Sequence, residues 1–384
     1  MSSSRSEAAS IRGRPCALEQ AIEAAAAALV EARLPLVYGL VESTVEAQRE
    51  AVRLADLAGA IVDPASSASH LGSLAAFARE GTLTASLGEL RSRADLLLFW
   101  GCDPDAAHPG FTSRFAAPRA GRARLAVDLG PAMGPPSVDE RLSLPPSREV
   151  EALLVLRAFV RGRRVEASRL QALGLPLDRL KTLARRLLAC RYGVLVHDAD
   201  PPSERRDPET PGALGALVRD ASPKARLRLL GVRRAGNPAG AESVLTWQTG
   251  FPASVSFARG YPRFGPGETD AESVLRRREV DAALLVGLGV NARSDLSAGA
   301  RRHLEEIPVV RIGPHGAPET ATRGVFIAAA AFPSTPGRVF RMDGVALRQR
   351  PLADDSEAPV RPTEAQILAR IASSLEKRAL GSAP

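Results

Sequence analysis

A chain of 384 residues, 45% of them hydrophobic, is long enough for roughly two to three domains, and no apolar run approaches the roughly 20 residues of a membrane span. The formal charge of +8 is nearly all arginine, since lysine occurs only at Lys181, Lys224 and Lys377. The arginines are scattered among acidic residues and only 4% of the chain is aromatic, which argues against a nucleic-acid face. Three distant cysteines, Cys16, Cys102 and Cys190, form no C-x-x-C motif, against a disulfide framework, a zinc ribbon or a bacterial-type iron–sulfur motif. The polar start, Met1 to Glu7, has no signal-type apolar segment, so the expected compartment is the cytoplasm.

In chain order, residues 1 to 14 read as a polar tail and Leu18 to Glu31 as an alanine-rich helix. Leu34 to Leu40 predicts a strand ending at Gly39. Ser43, with Glu46 three residues on, predicts a capping box for the next helix. Ala60 to Asp63 completes a β-α-β unit. Pro64 to Gly72 reads as a small-residue loop, and Leu74 to Arg79 as a short helix. Leu96 to Trp100 is an apolar run bounded by turn residues, a buried strand. Beyond it lie Gly101, Cys102, Asp103 and His108, in the crevice where open α/β sheets bind ligands. Phe111 to Pro118 reads as a short helix, Arg124 to Asp128 as a strand, and Pro131 to Pro146 as a surface loop. Helices follow at Arg148 to Arg161 and Leu177 to Leu188, then a strand at Tyr192 to His197, a polar loop to Pro211, a helix at Leu214 to Val218 and a strand at Ala225 to Leu230. Residues 281 to 314 repeat the layout of 95 to 130, with a strand, a glycine turn at Gly287 and Gly289, and a loop holding Asn291 and Asp295. Those glycines do not complete G-x-G-x-x-G, because Ala292 stands where the third would fall.

Several residues carry possible chemistry. Gly236 to Gly240 is a turn-rich segment whose backbone N–H groups suit a close ligand. Trp247 and Gln248 read either as core or as a platform that stacks on and hydrogen-bonds a planar ring. Ser69 and His70 lack a G-x-S-x-G context and a third partner, which argues against a hydrolase nucleophile. His108 and His315 fall in strand-end loops, and no two histidines share a metal-ligand spacing.

Ala94 to Pro109, Asn237 to Gly250, Phe257 to Arg263 and Arg341 to Arg348, in that order, resemble the B subunit of formylmethanofuran dehydrogenase, in the molybdopterin oxidoreductase superfamily. The resemblance runs from about residue 35 to 350. It implies an α/β fold with two Rossmann-like domains and largely parallel sheets. It also implies a site that in the family holds two pterin dinucleotides, tungsten or molybdenum and an iron–sulfur cluster.

Two departures change what is expected of this chain. The family's N-terminal cysteine cluster is reduced to Cys16, and one thiolate cannot hold a cluster. The family's cysteine or selenocysteine metal ligand stands before a histidine, and here that position is Ser69, before His70. A hydroxyl is a harder and far less acidic ligand than a thiolate. The resemblance therefore narrows to the B subunit of the bacterial formyltransferase/hydrolase complex of tetrahydromethanopterin-linked one-carbon metabolism. That implies a non-redox, structural or carrier-binding subunit with hydrolase (A), formyltransferase (D) and C-type partners and a methanofuran-like carrier. No molybdopterin, tungsten, molybdenum or iron–sulfur cluster is then expected, and no nucleic acid or membrane. The expected relic cleft is lined by Ser69, His70, Cys102, Asp103, His108, Asn237, Trp247, Gln248 and Arg259. The expected organisation is a tail and helix over 1–34, a discontinuous domain of 35–88 with 189–350, an inserted domain of 89–188, and a helical tail over 351–384. The alternatives are an active dehydrogenase subunit and an anion- or nucleic-acid-binding protein.

Overall fold

The structure, a computed structural model, describes residues 9–166, 168, 174–205, 207–288, 295–314, 324–350 and 361–381. The chain divides into a host unit, Met1–Ala68 with Gly236–Arg341 and Val345–Pro384, and an inserted unit, Ser69–Ala235 with Met342–Gly344.

The host unit begins with β1 (Ala9–Ile11), β2 (Arg14–Pro15), α1 (Leu18–Glu31), β3 (Pro35–Gly39), α2 (Val45–Leu57) and β4 (Ile61–Pro64). The chain then enters α3 (Ser67–Glu80) and the inserted unit: α4 (Leu87–Ser92), β5 (Leu96–Trp100), α5 (Pro104–Ala107), α6 (Phe111–Phe115), β6 (Ala123–Leu129), β7 (Glu140–Leu144), α7 (Glu149–Val160), α8 (Leu177–Ala189), β8 (Tyr192–Asp198), α9 (Thr210–Ala221) and β9 (Arg226–Val232). The host unit resumes with α10 (Pro238–Thr249), β10 (Val255–Ser256), β11 (Arg263–Phe264), α11 (Ala271–Arg276), β12 (Ala282–Val286), α12 (Ala298–Glu306), β13 (Val309–Gly313), β14 (Val325–Ala328), β15 (Gly337–Phe340), β16 (Ala346–Gln349) and α13 (Glu364–Gly381). Among the described residues no helix is long and apolar enough to cross a membrane.

The host sheet runs β11-β10-β4-β3-β12-β13-β14-β1-β2, with parallel pairing from β4 through to β14 and antiparallel pairs at both flanks. The inserted sheet runs β7-β6-β5-β8-β9 and is parallel throughout. Both sheets are covered on two faces, which is why their strands read as unbroken apolar runs. Alternation then sends neighbours to opposite cores. Val37 joins the cluster under α1, α2, α10 and α13, whereas Leu36 joins the one under α11 and α12. In the inserted unit Leu96, Leu98 and Trp100 pack towards α7, α8 and α9, and Leu97 and Phe99 towards α4 and α6.

Five sequence expectations change. The insertion extends beyond 89–188 at both ends, because β8 pairs in register with β5 (Leu96 opposite Gly193) and β9 pairs with β8, leaving neither strand to the host sheet. The small-residue stretch 64–72 is not all loop. Asp63 accepts a hydrogen bond from Ser67 Oγ at 2.8 Å, where α3 begins. The proline-rich stretch 131–146 contains β7, because the Asp128 carboxylate gathers the amides of Met133 and Gly134 and the Arg141 guanidinium, folding the chain back beside β6. Thr44, not Ser43, caps α2, with its Oγ1 accepting from the Ala47 amide at 3.4 Å. Residues 9–15, expected in a tail, form a hairpin on the host sheet through β1 and β14.

Candidate functional site

In an open parallel sheet the crevice lies where strand order reverses, beyond the carboxyl ends of the two strands on either side. In the inserted sheet β5 leads to β6 and β7 on one side, while β8 leads to β9 on the other, so the reversal lies between β5 and β8. Beyond β5 come Gly101, Cys102 and Asp103, and at the end of β8 come Asp198, the last strand residue, and then Ala199 and Asp200. Gly101 has φ +58, and a Cβ there would stand 2.6 Å from Leu129 Cδ1, so the turn requires glycine.

The centre of the rim is Asp200, which is 5% exposed. One of its oxygens accepts from Ser69 Oγ at 3.2 Å. The other accepts from Arg233 Nε at 2.8 Å and the Arg234 amide at 2.9 Å. Burial by itself would raise the Asp200 carboxyl. The Arg233 guanidinium, the nearby His70 and the hydrogen bonds reverse this and hold it below its ordinary value, so it is an anion at neutral pH. Arg233, also buried, leaves β9, and its carbonyl lies 2.8 Å from His108 Nε2. Ser69 and His70 sit near the start of α3. This one network ties the loops after β5, β8 and β9 to α3.

His197, in β8, is buried and meets the Asp198 carbonyl at 3.2 Å through Nδ1. Burial pushes its imidazole down to about 4, with the neighbouring His70 adding to the effect, so it is neutral at pH 7. Cys102 is buried with its sulfur 3.9 Å from the Val196 carbonyl. Burial first, and then Asp198 and Asp103, raise the thiol well above its ordinary value, so it is a poor source of thiolate. Asp103 caps α5 by accepting from the Asp105 amide at 3.0 Å. Arg205 reaches into the crevice, donating to the Gly101 carbonyl at 3.1 Å and to Asp198 Oδ2 at 2.8 Å. Among the described residues no three His, Cys, Asp or Glu side chains are grouped as ligands of a metal ion.

The inserted unit thus brings together Ser69, His70, Cys102, Asp103 and His108. The other four candidates belong to the host unit, where Asn237 and Trp247 both meet Phe340. Asn237 is fully buried. Its Nδ2 donates to the Ser43 carbonyl at 2.9 Å, its Oδ1 accepts from the Phe340 amide at 2.7 Å, and its own amide donates to Val41. Gln48 Nε2 bonds the carbonyls of Leu40, Ser43 and Asn237. Asn237 is therefore a bracket between β3, α2 and β15, and the expected ligand-binding turn at 236–240 is instead the entry to α10. Trp247 is not core: it is 60% exposed, with its edge towards Phe340 at 5.6 Å between ring centroids. Gln248 and Arg259 are exposed. His315, Gly289 and Asn291 lie outside the described residues.

Sequence reasoning missed Asp200, Arg233, His197 and Arg205. The available signal was positional. Asp198-Ala-Asp200 directly follows one strand and Arg233 another, as Cys102 and Asp103 follow β5.

No protein-family model matches the chain. Over 349 residues the chain is 32% identical to the B subunit of the tungsten-containing formylmethanofuran dehydrogenase 2 of Methanocaldococcus jannaschii, covering 88% of this chain and 79% of that protein. Over 287 residues it is 30% identical to the B subunit of the formyltransferase/hydrolase complex Fhc of Methylorubrum extorquens, covering 72% and 74%. Among solved structures, the formyltransferase/hydrolase complex FhcABCD of the same bacterium, in complex with methylofuran, matches with a TM-score of 0.79 at 26% identity, covering 97% of this chain and 100% of the matched chain. Acetylene hydratase from Pelobacter acetylenicus matches with a TM-score of 0.59 at 12% identity, a likeness of fold alone that covers 94% of this chain and 59% of that one. The sequence, matched over most of its length by both sets of relatives, and the two parallel sheets place the chain in the family of formylmethanofuran dehydrogenase B subunits.

Proposed function

We propose that this chain is a non-redox B subunit of a formyltransferase/hydrolase-type assembly, holding hydrolase, formyltransferase and C-type subunits together and contributing to the docking of a methanofuran-like carrier. The observation that carries the reading is Ser69. Where the family resemblance expects a soft cysteine or selenocysteine ligand, this chain has a buried neutral hydroxyl hydrogen-bonded to Asp200. The donors around it are a carboxylate already paired with Arg233 and a thiol, Cys102, whose deprotonation burial opposes. That set suits a hydrogen-bonded polar core and does not fit tungsten or molybdenum held through a thiolate. The structural match to the FhcABCD complex, along the whole of the matched chain, supports the same reading.

Two measurements test it. Elemental analysis of the protein purified with its native partners is expected to find tungsten and molybdenum far below one per chain. A near-stoichiometric content of either would favour the second reading, an active dehydrogenase subunit, for which the identity to the archaeal tungsten proteins speaks. In a reconstituted assembly, Ser69→Ala is expected to leave formyl transfer and formate release within about twofold, because losing one small buried hydroxyl costs only about 1 kcal/mol. Leaving out the chain is expected to abolish assembly. Loss of activity by orders of magnitude in a normally assembled Ser69→Ala complex would make the site catalytic.

A further inference from the structure

The host sheet has its own reversal point. Strand β3 leads to β4 on one side and β12 leads to β13 and β14 on the other, so the crevice lies beyond the ends of β3 and β12. There the Glu364 carboxyl, 8% exposed at the start of α13, accepts from Ser43 Oγ of the β3 loop and from the Gly287 amide of the β12 loop at 3.2 Å. Gly287 has φ +56, and a Cβ on it would stand 2.0 Å from Ser43 Oγ, so the two strand-end loops close tightly around the carboxyl. In the inserted sheet the equivalent crevice holds the Arg205 guanidinium, bonded to the Gly101 carbonyl of the β5 loop and the Asp198 carboxylate at the end of β8. In each unit one ionisable side chain, from a later helix in the host unit and from the loop leaving β8 in the inserted unit, bridges the same two strand ends that open α/β sheets use to bind ligands.

We infer that Glu364 and Arg205 are intramolecular ligands: each fills its own sheet's crevice, a carboxyl group on donors in the host unit and a guanidinium on acceptors in the inserted unit, and closes it to an outside ligand. The inference rests on the strand-end geometry and not on the reading of Ser69, so either can fail alone. It assigns each crevice a chemical preference. With the plug removed, the host crevice takes a small carboxylic acid and the inserted crevice a guanidinium-type cation.

The test is crossed rescue in the full-length protein. Glu364→Ala and Arg205→Ala are each followed by thermal unfolding at about pH 5, where a carboxyl is still partly the neutral acid, with added acetate or a non-denaturing concentration of guanidine, against sodium chloride at equal ionic strength. Acetate is expected to raise the Tm of Glu364→Ala alone, and guanidine that of Arg205→Ala alone, each saturably by about 2–4 °C. The parent protein is expected to respond to neither. Equal responses of parent and variants, or rescue without the crossed selectivity, would overturn the inference. Should Glu364→Ala fail to fold in either buffer, Ser43→Ala and Glu364→Gln, singly and together, serve in its place. A filled crevice predicts losses in Tm that overlap in the double variant, whereas losses that simply add would overturn the host-unit half.

Discussion

Arg233→Ala is expected to lower the stability of the inserted unit by roughly 3–5 kcal/mol, the largest single-residue effect anticipated here, while joint replacement of Arg233 and Asp200 by apolar residues of similar size costs far less. The reason is the asymmetry of a buried ion pair. Arg233 and Asp200 expose 6% and 1% of their side chains and meet at 2.8 Å. Taking both charges out of water cancels much of their attraction, so the intact pair adds little. Removing only the guanidinium leaves a buried carboxylate that keeps the Ser69 hydroxyl and the Arg234 amide but has lost its buried counter-charge. Trp100 provides the readout. The chain has two tryptophans, one in each unit, and Trp247 is already exposed, so the fluorescence change on urea unfolding comes mainly from buried Trp100. A single variant as stable as the double variant would refute the argument.

The host unit is expected to lose stability as pH rises from about 4 to about 7. Burial pushes Asp63 and Glu364 both up to about 7, against the lowering effect of their hydrogen bonds to Ala271 and Ser67 and to Ser43 and Gly287. A carboxyl whose value is higher in the folded chain keeps its proton longer there. Its favourable contribution is therefore complete below the unfolded value and is lost as pH climbs through the folded one, at roughly 3 kcal/mol per group. His197, in the inserted unit, acts in the opposite sense. Pushed down to about 4, it stays neutral while the unfolded chain still binds a proton, so its unit gains stability over about pH 4 to 6.5. The two units should therefore diverge with pH. The clean measurement is the difference in unfolding free energy between Glu364→Gln and the parent, which is expected to move in favour of the variant by on the order of 3 kcal/mol between pH 4 and 8. A difference that stays constant over that range would show that Glu364 is not buried as described.

What could be read from sequence follows from which residues are periodic or contiguous. The strands Leu96–Trp100, Tyr192–Asp198 and Ala282–Val286 are buried on both faces and stand out as apolar runs between turn residues. Strand β7 does not, because only Leu142 and Leu144 are buried, between exposed or polar neighbours inside a proline-rich stretch, and only the Asp128 loop reveals its partner. For the candidate site, the strand-end positions of Cys102, Asp103 and His108 were legible, and so was the pairing of Ser69 with His70 through the family resemblance. Their anchor was not: Ser69 and Asp200 are 131 residues apart, and polar loop residues carry no periodicity. Trp247 shows the opposite failure. Its flanking apolar residues suggest core, yet the helix turns it outward, because Val244 and Leu245 take the buried face of α10.

The insertion of one unit within the other also sets an order of events during synthesis. Strand β3 pairs with β12, Leu36 opposite Ala283, so the first half of the host sheet emerges long before its central partner exists. Five of the nine strands of the host sheet, β10 to β14, follow the insertion. At ribosomal speeds the roughly 170 inserted residues take on the order of 10 to 30 s to make, ample time for a parallel five-stranded sheet to form alone. The nascent β3–α2–β4 segment spends that interval with apolar strand faces uncovered. The early hairpin and α1 wait longer still, since β14 and α13, the elements that pack against them, are among the last to leave the ribosome. The stretch of chain most exposed to misassociation, and most in need of chaperone cover, is thus the part of the host unit made ahead of the insertion, up to Ala68.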